Sequence, residues 1–296
     1  AGFQGTIAVN GGYNDPEEMD AIIGEGVVDL ISCGRTFIAE PRFIAKLQSK
    51  GKEAPTPCIY CNKCHGNPNK PTLVYCSVNP QDGQAQRIPA VVKPPLNLKK
   101  VAVIGGGLIG MRAACFAAER GHKVTLFEKT DFLGGKARYA AMYPMKWSIE
   151  RYRLWLIDEL GRRGVEVRMN CAPEPEDLTQ EGFDAVLACT GSLEKRPPIQ
   201  GADGEGIWLD EDVYEGRAAI GDKVVVVGGG AVATETAMYF AGLGKDVTVL
   251  TRQGALMLSD SRMHGPHEQV EVIVDGLGYG GLGGAWAAFD NLKPVY

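Results

Sequence analysis

Residues 101–110 read Val-Ala-Val-Ile-Gly-Gly-Gly-Leu-Ile-Gly, and this stretch decides the fold prediction. The four apolar residues predict a buried parallel strand, and the glycines that follow have the spacing G-x-G-x-x-G where a helix begins. Gly105 permits a tight turn, Gly107 lets a pyrophosphate approach the backbone, and Gly110 lets the helix pack against the strand. The next predicted strand ends at Glu128, whose carboxylate can accept a hydrogen bond from a ribose hydroxyl. The pattern predicts a dinucleotide-binding β-α-β unit.

A second stretch of the same kind occupies residues 224–233, Val-Val-Val-Val-Gly-Gly-Gly-Ala-Val-Ala. Gly228 and Gly230 match the first two glycines of the pattern, and Ala233 stands at the third position, as the fingerprint allows. We therefore expect two nucleotide-binding turns in one chain.

The residues after the second turn bear on the nicotinamide nucleotide. Thr251 stands at the position that Glu128 occupies in the first unit, and Arg252 follows it. No carboxylate is present there to repel a 2′-phosphate, and a guanidinium can bind one. The position therefore favours NADP over NAD.

Four cysteines precede both turns in the pattern C-x2-C-x2-C-x11-C, namely Cys58, Cys61, Cys64 and Cys76. Three closely spaced thiolates can bind three corners of a cubane cluster, and a fourth can follow after a loop. Structural zinc is the alternative, although zinc ribbons usually pair a C-x2-C with a second one or with two histidines. The spacing predicts a 4Fe-4S cluster.

The amino-terminal residues predict two β-α units. Apolar strands near residues 6–9 and 28–32 end close to Gly12, and to Gly34 and Arg35, respectively. Glycines at the carboxyl ends of parallel strands can bind a ligand phosphate, and an arginine can add a bidentate contact. The alternative is that the glycines only turn the chain and that Arg35 is solvated.

The stretch Gly-Arg-Thr-Phe-Ile-Ala-Glu-Pro at 34–41 and the cysteine segment at 57–64 resemble the 2,4-dienoyl-CoA reductase and trimethylamine dehydrogenase family. In these old-yellow-enzyme-like iron-sulfur flavoproteins, the last two strands of a TIM barrel bind the FMN phosphate, and the cysteine segment binds a 4Fe-4S cluster. The resemblance implies that Gly12, Gly34 and Arg35 are FMN contacts. Only two of the eight β-α units of such a barrel are in this sequence, and two strands cannot close a barrel.

Two further stretches resemble the FAD domain of flavoproteins with two dinucleotide-binding motifs. Residues 133–137, Leu-Gly-Gly-Lys-Ala, resemble their second glycine turn through Gly135, and Thr190 with Gly191 resembles their strand-then-Thr-Gly motif. Together with Glu128 and the first turn, they imply FAD at that turn and NAD(P)H at the second, as in glutathione-reductase-like flavoproteins.

Motifs and resemblance together predict an α/β chain with a partial TIM-barrel end, an iron-sulfur segment and two Rossmann-like domains. The predicted segments are 1–57 (two β-α units of an FMN barrel), 58–97 (cluster segment and linker), 98–222 (FAD domain), 223–252 (NAD(P)-binding β-α-β) and 253–296 (unassigned glycine-rich tail). Residues 147–163 have apolar side chains at helical spacing and predict a packing helix whose aromatics, Trp147, Tyr152 and Trp155, belong to the core.

The resemblance implies an NAD(P)H-dependent oxidoreductase that passes electrons from NAD(P)H to FAD, the cluster and FMN, and reduces an activated C=C bond. One alternative is an amine dehydrogenase relay that runs outward. Another is an electron-transfer subunit whose partner chain carries the substrate site, and a third is a non-enzymatic fragment with structural zinc. No residue is assigned to acid or base catalysis, because the family forms its substrate pocket mostly on other barrel strands.

Composition limits the expected partners. The net charge of −5 and the scattered basic residues argue against a nucleic-acid surface. Apolar stretches are far shorter than the roughly 20 residues that span a bilayer, and no leader is recognised. With its crowded cysteines, the sequence predicts a cytoplasmic protein with a small-molecule substrate, as a homo-oligomer or with a partner chain that completes the barrel.

Overall fold

The structure is a computed structural model that describes residues 4–65, 74–84, 86–88, 93–142, 146–251, 270–274 and 294–295. The chain divides into two compact units, Ala1–Ser192 and Leu193–Tyr296. The barrel end, the cysteine segment and most of the predicted FAD domain therefore pack into one unit. The boundary between the units lies about 30 residues before the predicted domain boundary at 222, and the five predicted segments stay predictions.

The first unit begins with two short parallel strands joined by a helix. Its elements are β1 (Ala8–Asn10), α1 (Pro16–Gly24), β2 (Leu30–Ser32), α2 (Arg35–Ala39), α3 (Phe43–Gln48) and a single 3-10 turn at Lys63–His65. Val9 of β1 lies opposite Ile31 of β2. Helix α1 begins at Pro16 because the Asp15 side chain caps it, accepting a hydrogen bond from the Glu17 N–H at 3.0 Å. The predicted β-α-β order is present.

A four-stranded parallel sheet makes up the rest of the first unit. Its elements are β3 (Lys100–Ile104), α4 (Leu108–Glu119), β4 (Lys123–Phe127), α5 (Ala137–Ala141), α6 (Trp147–Arg162), β5 (Glu166–Arg168), α7 (Pro175–Gln180) and β6 (Ala185–Ala188). The strand order is β5-β4-β3-β6. The chain proceeds to opposite sides of β3, so the carboxyl end of β3 is a switch point, where open parallel sheets bind ligands.

The main core lies between this sheet and helices α4 and α6. Val103, Met111, Leu126 and Leu156 are fully buried, and each such side chain contributes about 1.5–3 kcal/mol to folding. Helix α6 has 16 residues, and none of the helices that the structure describes has the length and apolar composition of a bilayer-crossing segment.

The aromatic residues of α6 differ from one another in burial. Tyr152 and Trp155 are buried, and their rings stack at 5.6 Å, as predicted. Trp147 was expected in the core, but 52% of it is exposed, and this prediction is wrong. It is the first residue of the helix, where it contacts the cysteine segment instead.

The second unit contains a separate parallel sheet. Its elements are α8 (Asp210–Tyr214), β7 (Lys223–Val227), α9 (Ala231–Gly242), β8 (Asp246–Thr251), β9 (Val270–Val274) and β10 (Pro294–Val295), in the strand order β10-β9-β8-β7. The tail at 253–296 was left unassigned in the sequence analysis, and within it β9 and β10 extend the sheet that begins with the second nucleotide turn. The run Val-Glu-Val-Ile-Val at 270–274 has the β-branched composition that favours a strand, but it does not specify that this strand pairs with β8.

Candidate functional site

The first glycine turn joins β3 to α4 at the switch point of the sheet. Gly105 has φ +109°, and a Cβ there would lie 2.3 Å from the Cys189 carbonyl oxygen. A Cβ on Gly110 would lie 1.8 Å from the Gly105 carbonyl oxygen, so helix and strand approach each other as closely as only glycine permits. A Cβ on Gly107 would meet nothing within 4 Å. The turn is thus tight and closely packed, but open at Gly107, the residue predicted to face a pyrophosphate.

Glu128 is buried at the end of β4, and its carboxylate binds the same turn. Oε2 accepts a hydrogen bond from the Gly106 N–H at 2.7 Å, and Oε1 accepts two from Thr130, at 2.9 and 2.8 Å. A carboxylate has about four acceptor positions, so one is left for a ribose hydroxyl. Glu128 therefore holds the turn in shape, and Thr130, which the motif analysis missed, fixes the orientation of its carboxylate.

The glycine turn at residues 133–137 packs directly against the first nucleotide-binding turn, at residues 105–110. A Cβ on Gly135 would lie 3.2 Å from the Gly107 Cα. Arg153 of α6 donates a hydrogen bond from Nη1 to the Leu133 carbonyl oxygen at 2.8 Å, and its Nη2 lies 2.6 Å from Glu150 Oε1. Sequence motifs gave no sign of Arg153, whose role depends on a helix that lies after the turn.

The predicted Thr-Gly motif also reaches this turn. The Cys189 N–H donates to the Ile104 carbonyl oxygen at 2.8 Å, which continues the pairing of β6 with β3. A Cβ on Gly105 would lie 3.4 Å from the Thr190 Cα, and a Cβ on Gly191 would meet nothing within 4 Å. The structure thus brings together all the residues that were predicted to bind FAD.

A cavity of about 220 Å³ lies at the carboxyl ends of β1 and β2. Its lining includes Gly12, Gly34 and Arg35, the three predicted FMN-phosphate contacts, together with Tyr60 and His65 of the cysteine segment. A Cβ on either glycine would meet nothing within 4 Å, so both leave the cavity open. Backbone glycines beside a guanidinium are suited to a phosphate.

The cysteine segment is fixed from two sides. The buried Asn14 side chain accepts a hydrogen bond from the Cys58 N–H at 3.2 Å and donates one to the Cys58 carbonyl oxygen at 2.8 Å. From α6, Ser148 Oγ donates to the Ile59 carbonyl oxygen at 3.0 Å, and Arg151 Nη2 donates to the Asn14 carbonyl oxygen at 3.3 Å. None of these partners was predicted.

The four cysteines of the motif lie near one another. Burial raises the pKa of the Cys58, Cys64 and Cys76 thiols, and charges on neighbouring cysteines of the motif raise each of these pKa values further. Cys61 Sγ donates a hydrogen bond to Ser77 Oγ at 3.2 Å. In the part of the chain that the structure describes, no three His, Cys, Asp or Glu side chains are arranged to hold a metal ion. The four cysteine thiols, which are soft ligands, therefore lie near one another, but they are not positioned as ligands around a metal ion.

The second nucleotide turn joins β7 to α9. A Cβ on Gly230 would meet nothing within 4 Å, as at the matching residue of the first turn. A Cβ on Gly228 would lie 3.1 Å from the Ala233 Cβ, so the alanine methyl fills the place of a third glycine. The turn is open to a ligand at the predicted residue.

Thr251 takes the structural place of Glu128. A Cβ on Gly229 would lie 2.2 Å from Thr251 Oγ1, and a Cβ on Gly106 would lie 3.0 Å from Glu128 Oε2. Glu128 directly follows β4, Thr251 is the last residue of β8, and each lies against the glycine turn of its own β-α-β motif. Arg252, the predicted 2′-phosphate contact, lies outside the described residues.

Comparison with protein families identifies both nucleotide regions. Residues 103–150 match the NAD(P)-binding Rossmann-like domain, and residues 173–270 match the pyridine nucleotide-disulphide oxidoreductase family. These matches support FAD and NAD(P)H as the nucleotides of this chain.

Similar proteins cover most of this chain. It is 38% identical over 256 residues to an NADH oxidase of Thermoanaerobacter brockii, and the match covers 84% of this chain and 38% of the relative. It is 34% identical over 272 residues to a cinnamate reductase of Clostridium sporogenes, with 91% of this chain and 40% of the relative covered. A solved 2-naphthoyl-CoA reductase in complex with 2-naphthoyl-CoA superposes with a TM-score of 0.82 at 29% identity, covering 87% of this chain and 39% of the other. The chain thus spans about two fifths of the length of these relatives.

Proposed function

We propose that this chain is the electron-delivering part of an NAD(P)H-dependent reductase of activated C=C bonds, because it is similar to part of the iron-sulfur flavoproteins of the 2,4-dienoyl-CoA reductase and trimethylamine dehydrogenase family. When bound, FAD, a 4Fe-4S cluster and FMN supply a relay for electrons from NAD(P)H to the substrate. One observation carries the proposal. Tyr60 and His65, which lie next to motif cysteines in the chain, line a cavity suited to a phosphate, and this cavity is in the same unit as the predicted FAD turn.

Each group has residues in this chain that fit it. The FAD residues are Gly105, Gly107, Gly110, Glu128, Gly135, Thr190 and Gly191; the NAD(P)H residues are Gly228, Gly230, Ala233 and Arg252; the cluster ligands are Cys58, Cys61, Cys64 and Cys76; and the FMN contacts are Gly12, Gly34 and Arg35. The open glycine of each turn lies at the start of a helix, whose N–H groups and dipole favour a pyrophosphate. The four neighbouring thiols have the donor chemistry of iron-sulfur sites.

The names of the relatives bear on the substrate class. Cinnamate carries a C=C bond conjugated to a carboxylate, and 2-naphthoyl-CoA carries an aromatic ring conjugated to a thioester. In both compounds a carbonyl group activates the carbon that accepts hydride. These two similarities favour alkene reduction over amine oxidation. The substrate pocket then lies on barrel strands other than β1 and β2, either in the same polypeptide or in a partner chain.

Metal analysis of anaerobically purified protein tests the proposal. We expect about four irons and about four acid-labile sulfides per chain, since a cubane cluster contains four of each. One zinc per chain with no sulfide would contradict the relay and support the structural-zinc alternative.

Replacing Thr251 with glutamate is expected to change the nicotinamide preference. A carboxylate at this position can accept a hydrogen bond from the 2′-hydroxyl of NADH and repels the 2′-phosphate of NADPH. We expect the ratio of kcat/KM for NADPH to that for NADH to fall by about tenfold or more, because like charges in contact cost more than the 1.4 kcal/mol that this factor requires. Thr251→Gln is the matched neutral control. An equal ratio in both variants would show that charge at residue 251 does not select the nucleotide.

A further inference from the structure

Tyr60 has a backbone conformation that bulky side chains seldom adopt. It lies between Cys58 and Cys61, with φ +53°, and Asn62 on the other side of Cys61 has φ +55°. An aromatic residue in the left-handed region is an outlier, and it persists only where surrounding contacts hold it there. Such strain tends to be found at functional sites, which directs attention to what the Tyr60 side chain contacts.

The Tyr60 side chain crosses from the cysteine segment to the phosphate cavity. Its hydroxyl donates a hydrogen bond to the Gly12 carbonyl oxygen. The Arg35 guanidinium lies over the Tyr60 ring, 4.9 Å from its centroid, and the Trp147 ring packs against it with centroids 5.6 Å apart. Both Gly12 and Arg35 line the cavity, and so does Tyr60 itself.

Arg35 is held by the same segment a second time. Its Nη1 donates a hydrogen bond to Asn62 Oδ1 at 2.7 Å. A guanidinium has five N–H donors, so donors remain for a phosphate after this contact. Two residues between the motif cysteines, Tyr60 and Asn62, therefore fix the orientation of the predicted phosphate-binding arginine.

We propose that Tyr60 is a positioning residue that makes the cysteine segment a wall of the FMN-phosphate site, so that retention of FMN depends on the folded, cluster-loaded segment. The inference rests on the proposed function. While Cys58 and Cys61 are bound to a cluster, the backbone between them is restrained, and the left-handed conformation of Tyr60 is maintained. If the segment relaxes, Tyr60 leaves Gly12 and Arg35, and the phosphate loses two preorganised contacts.

The test measures release of FMN from the complete holoenzyme, with flavin, iron and sulfide counted on the same samples. Tyr60→Phe keeps the ring and removes the hydroxyl, with its hydrogen bond to Gly12 and its side-chain interaction with Asn14, so FMN should dissociate about fivefold faster. Tyr60→Gly also removes the ring beneath Arg35, and FMN should dissociate about 30-fold faster or more. The FAD content of both variants should stay equal to that of the wild type, because the FAD residues lie on other elements.

Tyr214→Phe is the matched control, since its hydroxyl contacts Thr236 in the second unit. If wild-type protein carries both cluster and FMN, and Tyr60→Phe and Tyr60→Gly release FMN at the wild-type rate, the inference is overturned and the proposed function stands. Wild-type protein that carries neither cluster nor FMN would overturn both the inference and the proposed function. If Tyr60→Gly does not load a cluster, Tyr60→Phe decides, because it keeps the backbone and the ring.

Discussion

Cys61→Ser is expected to abolish electron transfer from NAD(P)H to the substrate-side flavin while NAD(P)H still reduces FAD. Serine lacks the soft thiolate that iron-sulfur clusters require, and changes in the surroundings of metal ligands alone cost 10–100-fold in affinity or activity. We therefore expect overall turnover to fall by about 100-fold or more. FAD reduction should persist because its predicted residues lie in the turn after β3, on α4 and in the loops that follow β4 and β6, outside the cysteine segment.

Rapid-mixing spectroscopy with iron and sulfide analysis distinguishes the two steps. Cys171→Ser is the matched control: Cys171 is outside the motif, and its contact with Glu128 is a hydrogen bond from its backbone N–H. This variant should keep its cluster and its turnover. Normal turnover in Cys61→Ser protein that contains no labile sulfide would show that electrons do not need the cluster.

Gly110→Ala is expected to destabilise the first unit and to prevent FAD binding. The new methyl carbon would lie 1.8 Å from the Gly105 carbonyl oxygen, a backbone atom that cannot move without shifting the turn. Overpacking of this kind costs about 2–4 kcal/mol. In a unit of this size, that corresponds to a Tm lower by about 5–15 °C. Thermal unfolding of the apoprotein, followed by circular dichroism, measures the effect.

Gly107→Ala adds a methyl group three residues earlier in the chain. We expect this variant to lose FAD affinity without losing stability, unlike Gly110→Ala. This methyl would meet no atom within 4 Å, so the Tm of the apoprotein should change little. It would occupy the space where the pyrophosphate approaches the backbone, and FAD affinity should fall by about tenfold or more. Normal FAD affinity in Gly107→Ala would mean that the nucleotide does not approach this turn.

Local rules account for the parts of the fold that could be predicted. A strand, a glycine turn and a helix follow one another at Gly105 and again at Gly228. The local residues alone specify these turns, because the required φ angles and close contacts exclude residues other than glycine. Asp15 and Pro16 likewise determine where α1 begins. The extension of the second sheet by β9 and the boundary near residue 192 depend on contacts between distant parts of the chain, which no local pattern specifies.

The candidate site likewise contains residues that local motifs specify and residues that they do not. Sequence motifs identified the cysteines and the glycines, because their chemistry requires particular residues at particular spacings. They did not identify Asn14 or Ser148, which hold the cysteine segment across separations of 44 and 89 residues. Trp147 was assigned to the core on helical periodicity alone, but its contact with Tyr60 lies across two segments.

Helix α6 limits how this protein can be divided into interchangeable modules. At its beginning, Ser148 binds the cysteine segment, and less than two turns later Arg153 binds the FAD-side glycine turn. A crossover at the proline pair 94–95 would separate residues that contact each other, whereas a crossover after Ser192 keeps them in one segment. Recombination among relatives, natural or engineered, can therefore exchange nicotinamide specificity as a unit, while the cysteine segment and the FAD turn must be inherited together.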